Sequence, residues 1–163
     1  MQIDLTRFFK LDKEQMLLDH SFSMESVDVD GFKPFISPIK VKGSISSHAS
    51  SVELVAEISY DFSMPCNCCL EETTTHKTLQ VKHLLVKKLC DEYDDRYIEV
   101  DDELDLDELI YSDIILELPI KYICKDDCRG ICPQCGANLN IDNCNCNSSE
   151  VDPRLEALKA LLD

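Results

Sequence analysis

Six apolar or aromatic residues stand two apart between Val52 and Phe62 in the stretch VELVAEISYDF: Val52, Leu54, Ala56, Ile58, Tyr60 and Phe62. Successive side chains of an extended chain point to opposite faces, so a period of two places all six on one face of a strand. IKVKGSIS repeats the pattern with Ile39, Val41 and Ile45, Gly43 falling in step, and HKTLQVKHLLVKKL carries Leu79, Val81 and Leu85 in the same rhythm. Between the last two strands lies MPCNCCLEET, a turn or strand end that begins at Pro65. Before them, Leu5, Phe8 and Phe9 fit one face of a helical turn.

A helix follows the strands. Asp105 is suited to cap it, with Glu108 three residues on as in a capping box. Leu106, Leu109, Ile110, Ile114 and Leu118 then give a helical apolar stripe. Pro119 ends it, because the residue before a proline resists the α conformation. In VDPRLEALKALLD, Asp152 is placed to cap, Pro153 takes the first helical position, and Leu155, Leu158 and Leu162 share a side, which reads as a short terminal helix. The expected class is α+β: an antiparallel sheet curled toward a barrel, one main helix, a cysteine-rich C-terminal segment and a short terminal helix. The expected domains are an α+β core over residues 1–122 and a cysteine-rich zinc-binding tail over 123–163, packed on the core.

Ten cysteines bear on the chemistry, six of them between Cys124 and Cys146. The opening MQIDLTRFFKLDKEQ is not a secretory leader, since Asp4 and Arg7 interrupt it and no long apolar stretch follows. Nothing approaches the roughly 18 uninterrupted apolar residues of a membrane span. A cytoplasmic protein is expected, in which thiols stay reduced and cysteine clusters point to metal more than to cross-links. A disulfide framework is the alternative. Zinc needs four soft ligands converging tetrahedrally, and a Cys-x-x-Cys turn supplies two of them from one tight loop. CPQCG (Cys132, Cys135, Gly136) is such a knuckle, its glycine free to take the positive φ that follows. Cys144 and Cys146 can complete that first site, although their Cys-x-Cys spacing departs from the commoner one and Cys124 and Cys128 lie close upstream. A second knuckle at Cys66 and Cys69 needs two more ligands, and Cys124 with Cys128 is the pair left over. That division leaves Cys68 and Cys90 free; a single site with mixed ligands is its rival. Four thiolates also suit iron.

Nothing indicates an enzyme. The four glycines form no phosphate-cradling loop, and His20, His48, His76 and His83 show no metalloprotease pattern. A redox Cys-x-x-Cys opens a helix in a thioredoxin-like unit, whereas LEETTTHK after Cys69 is a poor helix. Four-thiolate sets leave no open coordination position for catalysis.

The charge points to a partner. Acids number 32 against 16 bases, a formal charge of −16. Eleven carboxylates crowd Asp91 to Glu108 with only Arg96 against them, though several of these suit a helix N-terminus. Such a balance repels phosphate backbones and favours a cationic protein or a cationic face of an assembly. The plainer reading is that the charge only keeps the protein soluble.

From about residue 40 onward the motifs resemble those of the bacterial YceD family of large ribosomal RNA subunit accumulation proteins. CNCCLEE resembles its C-x-R-C-L-E signature, with Cys68 where the family usually has arginine. LELPI resembles the helix-to-proline junction, and CRGICPQCGANLN…CNC…DPRLEAL the family's tail. The resemblance implies a non-enzymatic cytoplasmic factor for accumulation or processing of 23S rRNA, with plastid and mitochondrial relatives in plants. Joined to the charge, it suggests a metal-pinned scaffold holding a basic ribosomal protein or large-subunit assembly factor. Direct rRNA contact through Lys82, Lys87 and Lys88, or through Lys121, Lys125 and Arg129, is the rival within biogenesis. A zinc-dependent regulatory or metal-handling protein is the alternative outside it.

Overall fold

The computed structural model describes residues 1–11, 14–48, 51–88 and 97–146. In chain order these form β1 (Gln2–Asp4), α1 (Thr6–Lys10), β2 (Gln15–Phe22), β3 (Ile39–His48), β4 (Ser51–Pro65), β5 (Glu72–Val86), β6 (Tyr97–Glu99), β7 (Glu103–Asp105) and α2 (Leu106–Glu117). The chain falls into two compact units. One holds Met1–Met64 with Thr73–Ile120; the other holds Pro65–Glu72 with the chain from Lys121 onward. The proposed terminal helix, Cys90, Arg96 and the acids from Asp91 to Asp95 lie outside the described residues.

In the first unit, five strands lie in the order β2-β3-β4-β5-β6 and curl toward a half-barrel. The alternation of β4 is realised in full: Val52, Leu54, Ala56, Ile58, Tyr60 and Phe62 are all buried, as are Ile39, Val41 and Ile45 of β3. β3 pairs antiparallel with β2, Leu18 opposite Gly43, and with β4, Gly43 opposite Ala56. Gly43 is required here by close approach, since a Cβ at that position would stand 2.1 Å from the Val55 carbonyl oxygen and 2.7 Å from Ala56 Cα. Of the residues anticipated on β5, Leu85 is fully buried while Leu79 and Val81 are half-buried.

The sheet is mixed rather than antiparallel throughout. β6 runs parallel to β5, with Leu84, Leu85 and Val86 opposite Tyr97, Ile98 and Glu99. A hairpin can join only antiparallel neighbours, whereas a parallel pair needs a connection that returns the chain to its starting end. Ten residues of sequence separate the two strands, and nothing in them announces a parallel pairing.

α2 forms as its sequence dictates. The Asp105 side chain accepts hydrogen bonds from the backbone N–H groups of Asp107 (3.0 Å) and Glu108 (3.4 Å), and Leu118 before Pro119 is already extended. Leu106, Ile110 and Ile114 are buried, with Leu109 and Leu118 half-buried. Two imidazole–carboxylate pairs tie the helix to strands on both sides of the sheet: His20 of β2 to Asp107 at 2.8 Å, and His83 of β5 to Asp113 at 2.8 Å. Two of the four histidines thus fasten the helix. Phe35 joins the same core, its ring 5.6 Å from Phe62 and 5.8 Å from Tyr60. β1 and β7 form a separate antiparallel pair, Ile3 opposite Leu104. At the start of the chain Leu5 and Phe8 are buried and Phe9 half-buried, where the helical turn was expected.

Candidate metal centres

The second unit has a different interior. Its buried apolar residues among those described are Cys66, Cys69 and Cys132, at 1, 5 and 6% exposure. All nine cysteines of the described residues are free thiols.

Eight of the nine gather into two groups of four. Cys66, Cys69, Cys124 and Cys128 form one, and Cys132, Cys135, Cys144 and Cys146 the other; within each group the sulfurs all lie within 4.8 Å of one another. Closest approaches are 3.6 Å (Cys69–Cys124) and 3.8 Å (Cys66–Cys128) in the first group. In the second they are 3.3 Å (Cys132–Cys144) and 3.5 Å (Cys135–Cys144). Four sulfurs each about 2.3 Å from a central zinc stand about 3.8 Å apart at the corners of a tetrahedron. These separations are too long for disulfide bonds, whose sulfurs lie about 2.05 Å apart. The donor set therefore fits a four-thiolate metal, and each cluster could hold one ion. Cys68, between Cys66 and Cys69, belongs to neither group.

Both knuckles are built by the same turn. The N–H of Leu70 bonds the Cys66 carbonyl at 2.9 Å, and the N–H of Gly136 bonds the Cys132 carbonyl at 2.9 Å. In each case the residue after the second cysteine is left-handed, Gly136 at φ 73° and Leu70 at φ 63°. Glycine reaches this region without strain, but leucine does so at a cost of about 1–2 kcal/mol. After Cys69 the chain extends directly into β5, so the helix that a thioredoxin-like pair requires is not formed.

Electrostatics separate the thiols within each group. The backbone N–H of Cys124, with those of Cys69 and Cys68, points at the Cys66 sulfur and lowers its pKa to about 6, while burial and the neighbouring thiols push Cys124 up to about 12. In the second group, the backbone N–H groups of Cys135 and Gln134 bring Cys132 to about 6, and hydrogen bonding with Cys144 and Cys135 pushes Cys146 up to about 12. Four crowded thiols cannot all ionise unaided, because each new charge repels the last. A divalent cation at the centre reverses that and holds all four as thiolates.

The segments joining the ligands are themselves hydrogen-bonded. Asn67 and Tyr122 exchange two bonds, Asn67 N–H to the Tyr122 carbonyl at 2.8 Å and Tyr122 N–H to Asn67 Oδ1 at 2.6 Å. The N–H of Ile131 bonds the Cys68 carbonyl at 3.1 Å, that of Leu139 the Gly130 carbonyl at 2.9 Å, and the side-chain amide of Asn140 the Cys128 sulfur at 3.4 Å. The asparagines gave no signal in the sequence.

The basic residues considered for RNA contact are in part neutralised. Lys82 pairs with Glu53 at 2.6 Å, Lys87 with Asp102, and Lys125 with Asp127 at 3.8 Å. Among the described residues no helix is long and apolar enough to cross a membrane.

Residues 54–162 match the family described as large ribosomal RNA subunit accumulation protein YceD. YlbN of Bacillus subtilis is 31% identical over 130 residues, 78% of this chain and 76% of that protein. Rv2926c of Mycobacterium tuberculosis is 38% identical over 63 residues, 39% of this chain and 30% of that protein. The large ribosomal RNA subunit accumulation protein YCED homolog 1, chloroplastic, of Arabidopsis thaliana is 42% identical over 50 residues, 31% of this chain and 16% of that protein. No solved structure matches the chain.

Proposed function

The chain belongs to the YceD family, and from that premise we propose that it is a non-enzymatic cytoplasmic factor supporting accumulation or processing of 23S rRNA. In this reading it acts as an acidic scaffold, its second unit pinned by two structural zinc ions, that holds a basic ribosomal protein or large-subunit assembly factor. The effect on rRNA then follows from recruiting protein rather than from gripping RNA. The observation that carries this is the charge: −16 in total, with Lys82, Lys87 and Lys125 each paired to a carboxylate of the chain. A surface of that sign attracts cationic proteins and speeds their encounter, whereas affinity for phosphate backbones rests on uncompensated lysine and arginine.

The zinc has a structural role here, since eight thiolates on two ions leave no coordination position open for a substrate. Cys66, Cys69, Cys124 and Cys128 would hold one ion and Cys132, Cys135, Cys144 and Cys146 the other. Metal analysis of protein purified without added metal tests this part: two zinc ions per chain are expected, and iron or no metal would refute it.

The scaffold part is tested by capture on the tagged, metal-loaded protein from lysate in which ribosomes have been removed. Recovery of a basic large-subunit protein that nuclease treatment does not release is expected. Recovery of naked 23S fragments with no basic protein would contradict it and favour direct RNA contact.

A metal-handling role draws on one observation, the exposure of Cys135 and Cys146. It requires the second cluster to surrender its ion to a mild chelator while the unit stays folded. The structural role predicts loss of the ion only together with loss of the fold.

A further inference from the structure

We infer that the two cysteine clusters are one coupled device and that Asn140 is the positioning residue that couples them. The inference rests on the metal reading above. Asn140 lies in the loop between Cys135 and Cys144, two members of the second cluster, yet its side chain serves the first. Its Nδ2 donates to the Cys128 sulfur at 3.4 Å and to Asn138 Oδ1 at 2.9 Å, while its Oδ1 accepts the backbone N–H of Arg129 at 2.9 Å. The orientation of the amide is fixed by chemistry. A backbone N–H can only donate, so the oxygen must face Arg129, which turns the –NH₂ toward the sulfur.

The loop that carries Asn140 is held from both ends. Its own N–H bonds Asn138 Oδ1 at 3.0 Å, and the N–H groups of Ile141 and Asp142 bond the Asn138 carbonyl at 3.1 and 2.9 Å. Leu139 N–H bonds the Gly130 carbonyl, Cys132 N–H bonds the Ala137 carbonyl at 2.8 Å, and Ile131 forms a bridge with Asn138. A metal in the second cluster, by fixing Cys135 and Cys144, fixes the span between them and hence the donor on Cys128. An N–H aimed at a coordinating sulfur stabilises its thiolate and orients it toward the ion. Loading the second cluster therefore strengthens the first. Linkage requires the converse by the same factor.

Cadmium-113 spectra of the cadmium-loaded full chain resolve the two clusters as separate signals, assigned by the one that Cys66→Ser/Cys69→Ser removes. Affinities come from competition with a chelator. Asn140→Asp keeps the shape and the bond from Arg129 but faces the Cys128 sulfur with an acceptor. It is expected to weaken the first cluster 10–100-fold, the range found when such outer hydrogen bonds to ligands are lost, and to move its signal while that of the second stays. Asn140→Ala, which removes the donor without adding charge, shifts the same signal in a smaller degree. Cys144→Ser/Cys146→Ser, which disables the second cluster, weakens the first to a similar extent, and adding Asn140→Asp to it has little further effect. The coupling is overturned if Asn140→Asp leaves the first cluster within twofold of the unmodified chain. It is equally overturned if Asn140→Asp abolishes both signals outright, which marks a general loss of fold, or if Cys144→Ser/Cys146→Ser leaves the first cluster unchanged. An unmodified chain that takes up no cadmium instead removes the metal reading itself, and the coupling with it.

Discussion

In the sheet unit, nine alternating residues of β3 and β4 are almost wholly withdrawn from water and α2 adds Leu106, Ile110 and Ile114. Among the described residues of the cysteine unit, those buried to a comparable degree are three cysteines, while Leu70 and Ile141 stand 64 and 72% exposed, and Ile123 and Ile131 are exposed too. Both units are tightly hydrogen-bonded, so the difference lies in what excludes the unfolded chain. The first buries enough apolar side chain to offset the entropy of ordering its backbone. The described residues of the second do not, and small domains in that position are stabilised by disulfides or by metal. With its described thiols unpaired and gathered four by four, the second unit has two clusters that could each hold a metal ion.

That contrast can be broken from either side. The largest effect is expected from Cys66→Ser/Cys69→Ser, which should cut the metal content from two ions to one and abolish ordered structure around the first cluster, while the sheet unit still unfolds cooperatively; metal analysis and near-ultraviolet circular dichroism read the two. Phe62→Ala attacks the other unit. It empties a fully buried site that meets Phe35 edge-on, and a loss of about 3–5 kcal/mol is expected in urea unfolding, with metal content unchanged. Gly43→Ala drives a methyl into the β4 backbone and should cost about 1–3 kcal/mol or more by the same measurement. The smallest effects separate the two knuckles. Gly136→Ala puts a Cβ at φ 73° and should lower the melting stability of the metal-loaded cysteine unit by about 1 kcal/mol, whereas Leu70→Gly relieves the strained partner turn and should raise it by up to about 1 kcal/mol.

The parts legible in the sequence are those whose signal is local. The alternation from Val52 to Phe62 shows in five or six residues, and α2 carries its start at Asp105 and its stop at Pro119. The knuckles are equally local, because Cys-x-x-Cys closes within one turn. β2 escaped notice because its apolar run is out of phase with its burial: Leu17 and Leu18 are adjacent, and Leu17 is 81% exposed while Leu18 is buried. β1, β6 and β7 are three residues each, too short for any period, and β1 and β7 depend on each other from opposite ends of the sheet unit's sequence. The parallel direction of β6 has no local signal in KKLCDEYDDR, the sequence between it and β5. Leu70 in a left-handed turn was hidden for the opposite reason, since leucine carries no sign of the conformation that glycine announces at Gly136. Asn140 could have been found only by asking what fills the loop between Cys135 and Cys144, because its partner at Cys128 belongs to the other cluster.

The measurement that tests the account most directly is hydrogen exchange, read by mass spectrometry on the metal-loaded chain before and after chelation. Amides such as Leu70, Cys132 and Gly136, which close turns around the clusters, should be protected with metal and exchange freely without it, while those of β3 and β4 keep their protection. Cluster amides that stay protected after the metal is gone would contradict the claim that metal stands in for an apolar core in the second unit.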